Sequence, residues 1–207
     1  LFFSGNHSKN KSLKYKFKKQ ITLPFFFPKF FLNIFLLRVF NFFYKNFNSR
    51  YKKKVYFDDF FFPLDRIKNW NKFYGKDGFH QIQILLKEND IIKNLKLILD
   101  FIHEKKLYSY LTTIKKFGKK NKNLLSFPGK GYTLTLDIKN NNQLKKNYKL
   151  LETKLLKLNC KVYLSKDGLM SKKIFRNAYK IEKFLNIKSK FDNKNKLISY
   201  QYLRLFT

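Results

Sequence analysis

Between Tyr132 and Ile138 apolar and polar positions alternate with a period of two. Tyr132, Leu134, Leu136 and Ile138 fall on one face, and Thr133, Thr135 and Asp137 on the other, as in a strand whose successive side chains point to opposite sides. Gln81 to Leu86 reads as a second strand, with Gln81 and Gln83 on one face and Ile82 and Ile84 on the other. Tyr108 to Lys115 reads as another, ending at Phe117-Gly118. Helical spacing separates these runs. Asn89 or Asp90 is placed to cap a helix to about Lys106, with Ile91, Ile92, Leu95, Ile98, Leu99 and Ile102 as its buried stripe. A second amphipathic helix is predicted from about Asn142 to Leu158, then a short strand from Cys160 to Leu164, then a helix capped by Ser171 and running to about Ile187. Strands separated by helices, with antiparallel pairing available throughout, predict an α+β fold: a largely antiparallel sheet flanked by helices. The sequence contains no internal repeat.

The first third of the chain has a different texture. Residues 1–22 are polar and basic, with Gly5, Asn6 and His7 marking a loop. Leu23 to Tyr44 is an aromatic run that Pro28, Lys29, Asn33 and Arg38 interrupt before about 18 apolar residues accumulate, so it does not read as a membrane span. As a helix from about Lys29 it is apolar nearly all round. It fits either a buried helix or a segment lying on a membrane surface. Lys45 to Lys54 is a basic linker. The expected division is 1–54, a basic and aromatic segment; 55–160, a domain core; and 161–207, a C-terminal segment.

Composition adds a strong charge. The 207 residues carry 46 Lys and Arg against 13 Asp and Glu, a net +33, so the surface attracts anions, phosphate groups included. Joint enrichment of Lys, Asn, Ile, Phe and Tyr is also what AT-rich coding produces, so charge alone does not specify a nucleic-acid partner. A single cysteine, Cys160, excludes an intrachain disulfide and supplies no zinc-ligand spacing. In an apolar strand it is expected to be an inert core thiol. His7, His80 and His103 form no metal-ligand pair, so no metal site is expected. Gly129-Lys130-Gly131 lacks Walker spacing and precedes a strand rather than a helix. The sequence opens on Leu1, and Met170 is its one Met, which is expected of a processed chain or a fragment. No signal-peptide pattern stands at the start.

Four patches carry candidate chemistry. Phe60 to Gln83 concentrates Pro63-Leu64-Asp65, Trp70-Asn71, Tyr74-Gly75, Gly78-Phe79 and Gln81-Ile82-Gln83. Downstream stand Lys115-Lys116-Phe117-Gly118, then Ser126-Phe127-Pro128 before Gly131 to Asp137, then Tyr163-Leu164-Ser165-Lys166-Asp167. Two amides on one strand face suit sugar hydroxyls, and a lysine suits a phosphate as a compact point charge.

Together these motifs resemble FAD-dependent sugar oxidases of the vanillyl-alcohol-oxidase type, the family of the decaprenylphosphoryl-ribose 2-oxidases and aldonolactone oxidases. The resemblance covers nearly the whole chain. It is specific in the middle and weak over the first 55 residues. It implies that residues up to about 160 are most of a substrate domain, and that 161–207 return to complete an FAD domain outside this sequence. The implied activity oxidises a sugar secondary alcohol, the 2-hydroxyl of a polyprenylphosphoryl ribose, by hydride transfer to flavin. An aldonolactone is the alternative substrate. By the same match Gln81, Gln83, Lys115, Phe117, Thr133 and Thr135 line the substrate pocket, and Tyr163 and Lys166 face the flavin. Lys166 is the catalytic candidate, stabilising negative charge on the reduced ring. The sequence departs from the pattern at Ile82, where an aromatic is usual, and at Gly168-Leu169, where Ser-Arg is common. The implied setting is cytoplasmic, peripheral at the inner membrane face, with an epimerising reductase as a further partner. A basic nucleic-acid-binding module is the rival from another class. It would leave Trp70, the glutamine pair and the Lys-Asp element without a purpose.

Overall fold

The computed structural model describes residues 5–8, 19–28, 30, 33–48, 54–62 and 64–207. The chain forms two compact units, Leu1–Gly78 and Phe79–Thr207. The expected positions of Lys29 and Pro63, and much of the basic stretches around residues 9–18 and 49–53, lie outside the described residues.

In the first unit β1 (Ile21–Thr22) pairs in parallel with β2 (Ile67–Lys68). Helix α1 (Ile34–Asn48) starts where Asn33 Oδ1 accepts from the Leu36 amide at 2.9 Å, the usual way an Asn satisfies an orphan first-turn donor. Helix α2 (Phe57–Phe61) and a 3₁₀ turn over Trp70–Tyr74 follow. The motif aromatics pack among themselves: Trp70 stacks on Phe73 at 5.1 Å between centroids, and Phe73 meets Phe27 at 5.3 Å. The buried-helix expectation for α1 fails, since its Phe side chains at 35, 40, 42, 43 and 47 are all exposed.

The second unit is an α+β structure built on a four-stranded antiparallel sheet. Its strands are β3 (Phe79–Lys87), β4 (Ser109–Phe117), β5 (Gly131–Lys139) and β6 (Lys161–Val162), in the order β4-β5-β3-β6. Helices α3 (Ile91–Glu104), α4 (Asn142–Lys157), α5 (Lys172–Ala178) and α7 (Tyr200–Phe206) send Ile98, Phe101, Leu144, Leu151, Phe175 and Leu205 into one core with Ile82, Ile84, Leu134 and Leu136 of the sheet. Helix α6 (Glu182–Phe191) contributes no fully buried side chain.

Four local expectations change. The α3 stripe is rotated: Ile98 and Ile102 are buried and Phe101 joins them, but Ile92 is 81% exposed and Leu99 also faces out. Asp90 enters α3 in a left-handed conformation, φ 58°, with no side-chain cap bond. The helix predicted from Ser171 to Ile187 breaks into α5 and α6. The break sits at Tyr179, whose backbone is extended, φ −125° and ψ 138°, and whose buried hydroxyl donates to Val162 O at 2.7 Å. A tertiary hydrogen bond and ring burial outweigh one more turn of helix, as tertiary context commonly overrides propensity. The strand predicted from Cys160 to Leu164 is shortened to two residues, and a 3₁₀ turn takes Leu164–Lys166.

Candidate functional site

Residues directly opposite in an antiparallel ladder share a face, so the register assembles a site from separated segments. Gln83 lies opposite Thr135, which lies opposite Thr113; Gln81 lies opposite Asp137; Leu85 lies opposite Thr133, which lies opposite Lys115; and Phe117 lies opposite Gly131. Lys161 extends the Leu85 row on β6. Gln81, Gln83, Lys115, Phe117, Thr133 and Thr135 therefore stand on the sheet face opposite the helices. The core-facing rows hold Ile82, Ile84, Leu134 and Leu136 instead.

This polar face is buried toward its centre: Gln83, Thr133, Thr135 and Asp137 are all buried, and Lys115 lies exposed on the edge strand. Its groups organise one another. Gln83 Nε2 donates to Thr133 Oγ1 at 3.2 Å, and Gln81 Nε2 donates to Asp137 Oδ1 at 2.6 Å. Each glutamine is fixed by an amide N–H, which orients its carbonyl oxygen as an acceptor for a hydroxyl donor. Asp137 was left out of the predicted site. The signal was present, because alternation places it on the Thr133 and Thr135 face.

Gly131 makes the close strand approach at this end possible. Its φ is +151°, and a Cβ there would lie 2.1 Å from Leu86 O, so no L side chain is tolerated at the first residue of β5. The loop before it folds over the face. Phe127 is buried, stacks on Tyr163 at 4.6 Å and meets the Phe117 ring edge-on at 5.9 Å. Phe117 and Tyr163, predicted for substrate and cofactor respectively, are thus joined through Phe127, which the sequence offered only as part of a motif. Lys161 was also missed. Its amine donates to Ser126 O and sits 4.2 Å from the Tyr179 ring centroid. Burial and the charge of Lys120 push this amine down to about 8. Ser126 Oγ is buried with no hydrogen-bond partner among the described residues.

Lys166 lies at the end of the 3₁₀ turn that follows β6. Tyr163 N donates to Gln83 O at 2.9 Å, tying this turn to the glutamine strand. Gln201 Nε2 of α7 donates to Leu164 O at 2.6 Å. Asp167 closes the turn: Oδ1 accepts from the amides of Leu169 and Met170 at 2.9 and 2.6 Å, and Oδ2 from Arg204 Nη2 at 2.7 Å. Asp167 thus caps the turn with its own carboxylate and makes no bond to the Lys166 amine. The Lys166 amine has no ion-pair or hydrogen-bond partner among the described residues. At Gly168 a Cβ would lie 3.2 Å from His80 Nδ1, a tight contact with that side chain. Arg204 on α7 supplies a guanidinium to this loop, donating to Asp167 Oδ2 and to Met170 O.

Two further side chains of the second unit are shifted by burial. Cys160 is buried, and desolvation pushes its thiol up to about 12. His80 is lowered, chiefly by burial. No cluster of His, Cys, Asp or Glu able to hold a metal occurs among the described residues. A cavity of about 280 Å³, lined by Leu86, Ile91, Ile92, Leu95, Ile114 and Tyr132 together with Thr133, is apolar and lies beside α3 rather than over the glutamines.

No protein-family model matches the sequence. Over 182 residues, 87% of this chain, it is 28% identical to decaprenylphosphoryl-beta-D-ribose oxidase of Mycolicibacterium smegmatis. The chain spans 39% of that relative's length. A distant relationship to this oxidase is what the sequence carries.

Proposed function

We propose that this chain is the substrate-domain and C-terminal portion of an FAD-dependent oxidoreductase that oxidises a secondary alcohol of a sugar, the 2-hydroxyl of a polyprenylphosphoryl ribose. One observation supports the reading above the others. Six pocket residues implied by the family resemblance, drawn from three strands, fall on one sheet face, with Asp137 beside them and the Lys166 turn hydrogen-bonded to the same strand. A solvated edge would not need a buried Gln83 braced by a buried Thr133.

In this reading the carbonyl oxygens of Gln81 and Gln83 accept from sugar hydroxyls, and Thr135, opposite Gln83 in the ladder, adds a short hydroxyl. Thr135 has no thiol chemistry to offer. Lys115, exposed at the rim, takes the phosphate as a point charge. Phe117, Phe127 and Tyr163 wall the site and exclude water, which strengthens each polar interaction within it. The fit to a flavin rests on Lys166. Asp167 is neutralised by Arg204, so it leaves the Lys166 charge available to an electron-rich ring edge. When bound, FAD would supply the hydride acceptor, held mainly by residues outside this sequence. The site residues of this chain bind, orient and dry the sugar. An aldonolactone is the second substrate of the same class.

The test is the visible spectrum of the natively encoded protein, before and after anaerobic addition of a polyprenylphosphoryl ribose. A yellow band that bleaches is the expected result. A yellow protein bleached only by aldonolactones would keep the oxidase and change the substrate. A folded, colourless protein that binds RNA with a steep salt dependence would overturn the reading.

A further inference from the structure

We infer that helix α1 is a docking element for an anionic lipid bilayer, lying flat in the interface rather than crossing it. This goes beyond the oxidase reading and does not rest on it. The sequence of α1, IFLLRVFNFFYKNFN, contains no acidic residue. At 100° per residue, Arg38, Asn41 and Lys45 form one narrow stripe, while Phe35, Phe40, Phe42, Phe43, Tyr44 and Phe47 cover most of the remaining circumference. Those six rings are exposed, Phe47 at 74%. They are ordered in pairs along the helix, Phe40 on Tyr44 at 5.7 Å and Phe43 on Phe47 at 6.0 Å.

Water is a poor neighbour for such a surface, because apolar area left wet costs about 25 cal/mol per Å². A soluble protein seldom exposes a contiguous patch of this kind unless something covers it. The charges select the cover. The polar stripe is cationic, with Arg38 and Lys45 and no acidic side chain on the helix to offset them, a pattern that complements anionic headgroups and not an apolar protein groove. As described, α1 is short for a span: its 15 residues reach roughly 22 Å at 1.5 Å each, against a hydrocarbon core of about 30 Å. No described helix is long and apolar enough to cross a membrane. An aromatic arc with a basic stripe is the composition of an interfacial helix.

The net charge of +33 would bind any anionic vesicle diffusely, so the experiment separates insertion from attraction. The natively encoded protein is floated with phosphatidylcholine vesicles with and without phosphatidylglycerol, at low salt and at about 0.5 M, where screening leaves little long-range attraction. The expected result is flotation that needs phosphatidylglycerol and survives salt. The triple variant Phe40→Ser, Phe43→Ser, Phe47→Ser should lose about tenfold or more of the salt-resistant binding. Phe191→Ser, removing a ring 87% exposed in the other unit, should leave it unchanged. Circular dichroism confirms that each variant is folded. Binding that salt abolishes, or that the triple variant retains, overturns the proposal. So does absence of binding with the α1 rings protected from hydroxyl-radical labelling, which would assign their cover to another part of the protein. The flavin spectrum is untouched by any of these outcomes, so failure here is distinct from failure of the oxidase reading.

Discussion

A single carboxylate decides the geometry of the turn that carries Lys166. The Asp167 side chain is 1% exposed and its Arg204 partner 30% exposed. A buried charge stripped of its partner is far more costly than an exposed pair is useful. Arg204→Ala should therefore destabilise the fold by about 2–4 kcal/mol in urea unfolding. Its remaining bonds from Leu169 and Met170 keep the loss below the upper end for a fully orphaned charge. A loss below about 0.5 kcal/mol would place Arg204 among ordinary surface residues. Lys161 makes the opposite case. Its amine is depressed to about 8, first by desolvation, against the ordinary 10.5. A depressed lysine binds its proton more weakly folded than unfolded, so it destabilises below pH 8 and this penalty is relieved as pH rises from about 8 towards 10.5. The carbonyl of Ser126 and the face of Tyr179 offset part of that penalty. The stability difference between the wild type and Lys161→Met should shift in favour of wild type between pH 8 and 10. A flat difference across that window would show that the site is wetter than its packing implies.

At the scale of elements, legibility followed periodicity. The glutamine pair and the β5 alternation were readable because a period of two fixes the face of every side chain once one is known. Burial of the opposite, polar face was not readable, since the loop that covers it closes through Phe127 and Lys161, neither of which any local pattern distinguishes. The Tyr179 break and the Arg204–Asp167 pair lie beyond local reading for the same reason, joining residues 17 and 37 apart in sequence. The α3 stripe shows a finer limit. Eight apolar residues on a 14-residue helix admit more than one face, and the rotation was settled by packing against the sheet. Ile98→Ala should cost about 2–4 kcal/mol, as for a fully buried aliphatic side chain, and Ile92→Lys should stay within about 0.5 kcal/mol. Equal losses at both positions would restore the stripe expected from the sequence.

For the whole molecule the contrast lies in how each unit is held. The buried hydrophobic cluster runs from Ile82 to Leu205 and so belongs to the second unit alone. The first unit has a two-residue parallel pairing, a small aromatic cluster and a helix with its rings exposed. Local stability tracks buried apolar packing and shielded backbone hydrogen bonds, so opening energies should differ between the units. Hydrogen exchange followed by mass spectrometry should find amides in β5 and the inner part of β3 the slowest in the chain, opening only with global unfolding. Peptides from α1 should exchange faster by at least two orders of magnitude in the absence of vesicles, a difference of about 3 kcal/mol in opening energy. Adding phosphatidylglycerol vesicles should slow α1 while leaving β3 and β5 unchanged. An α1 already as protected as β5 without lipid would mean that its aromatic surface is covered within the protein, and the interfacial role would then fall.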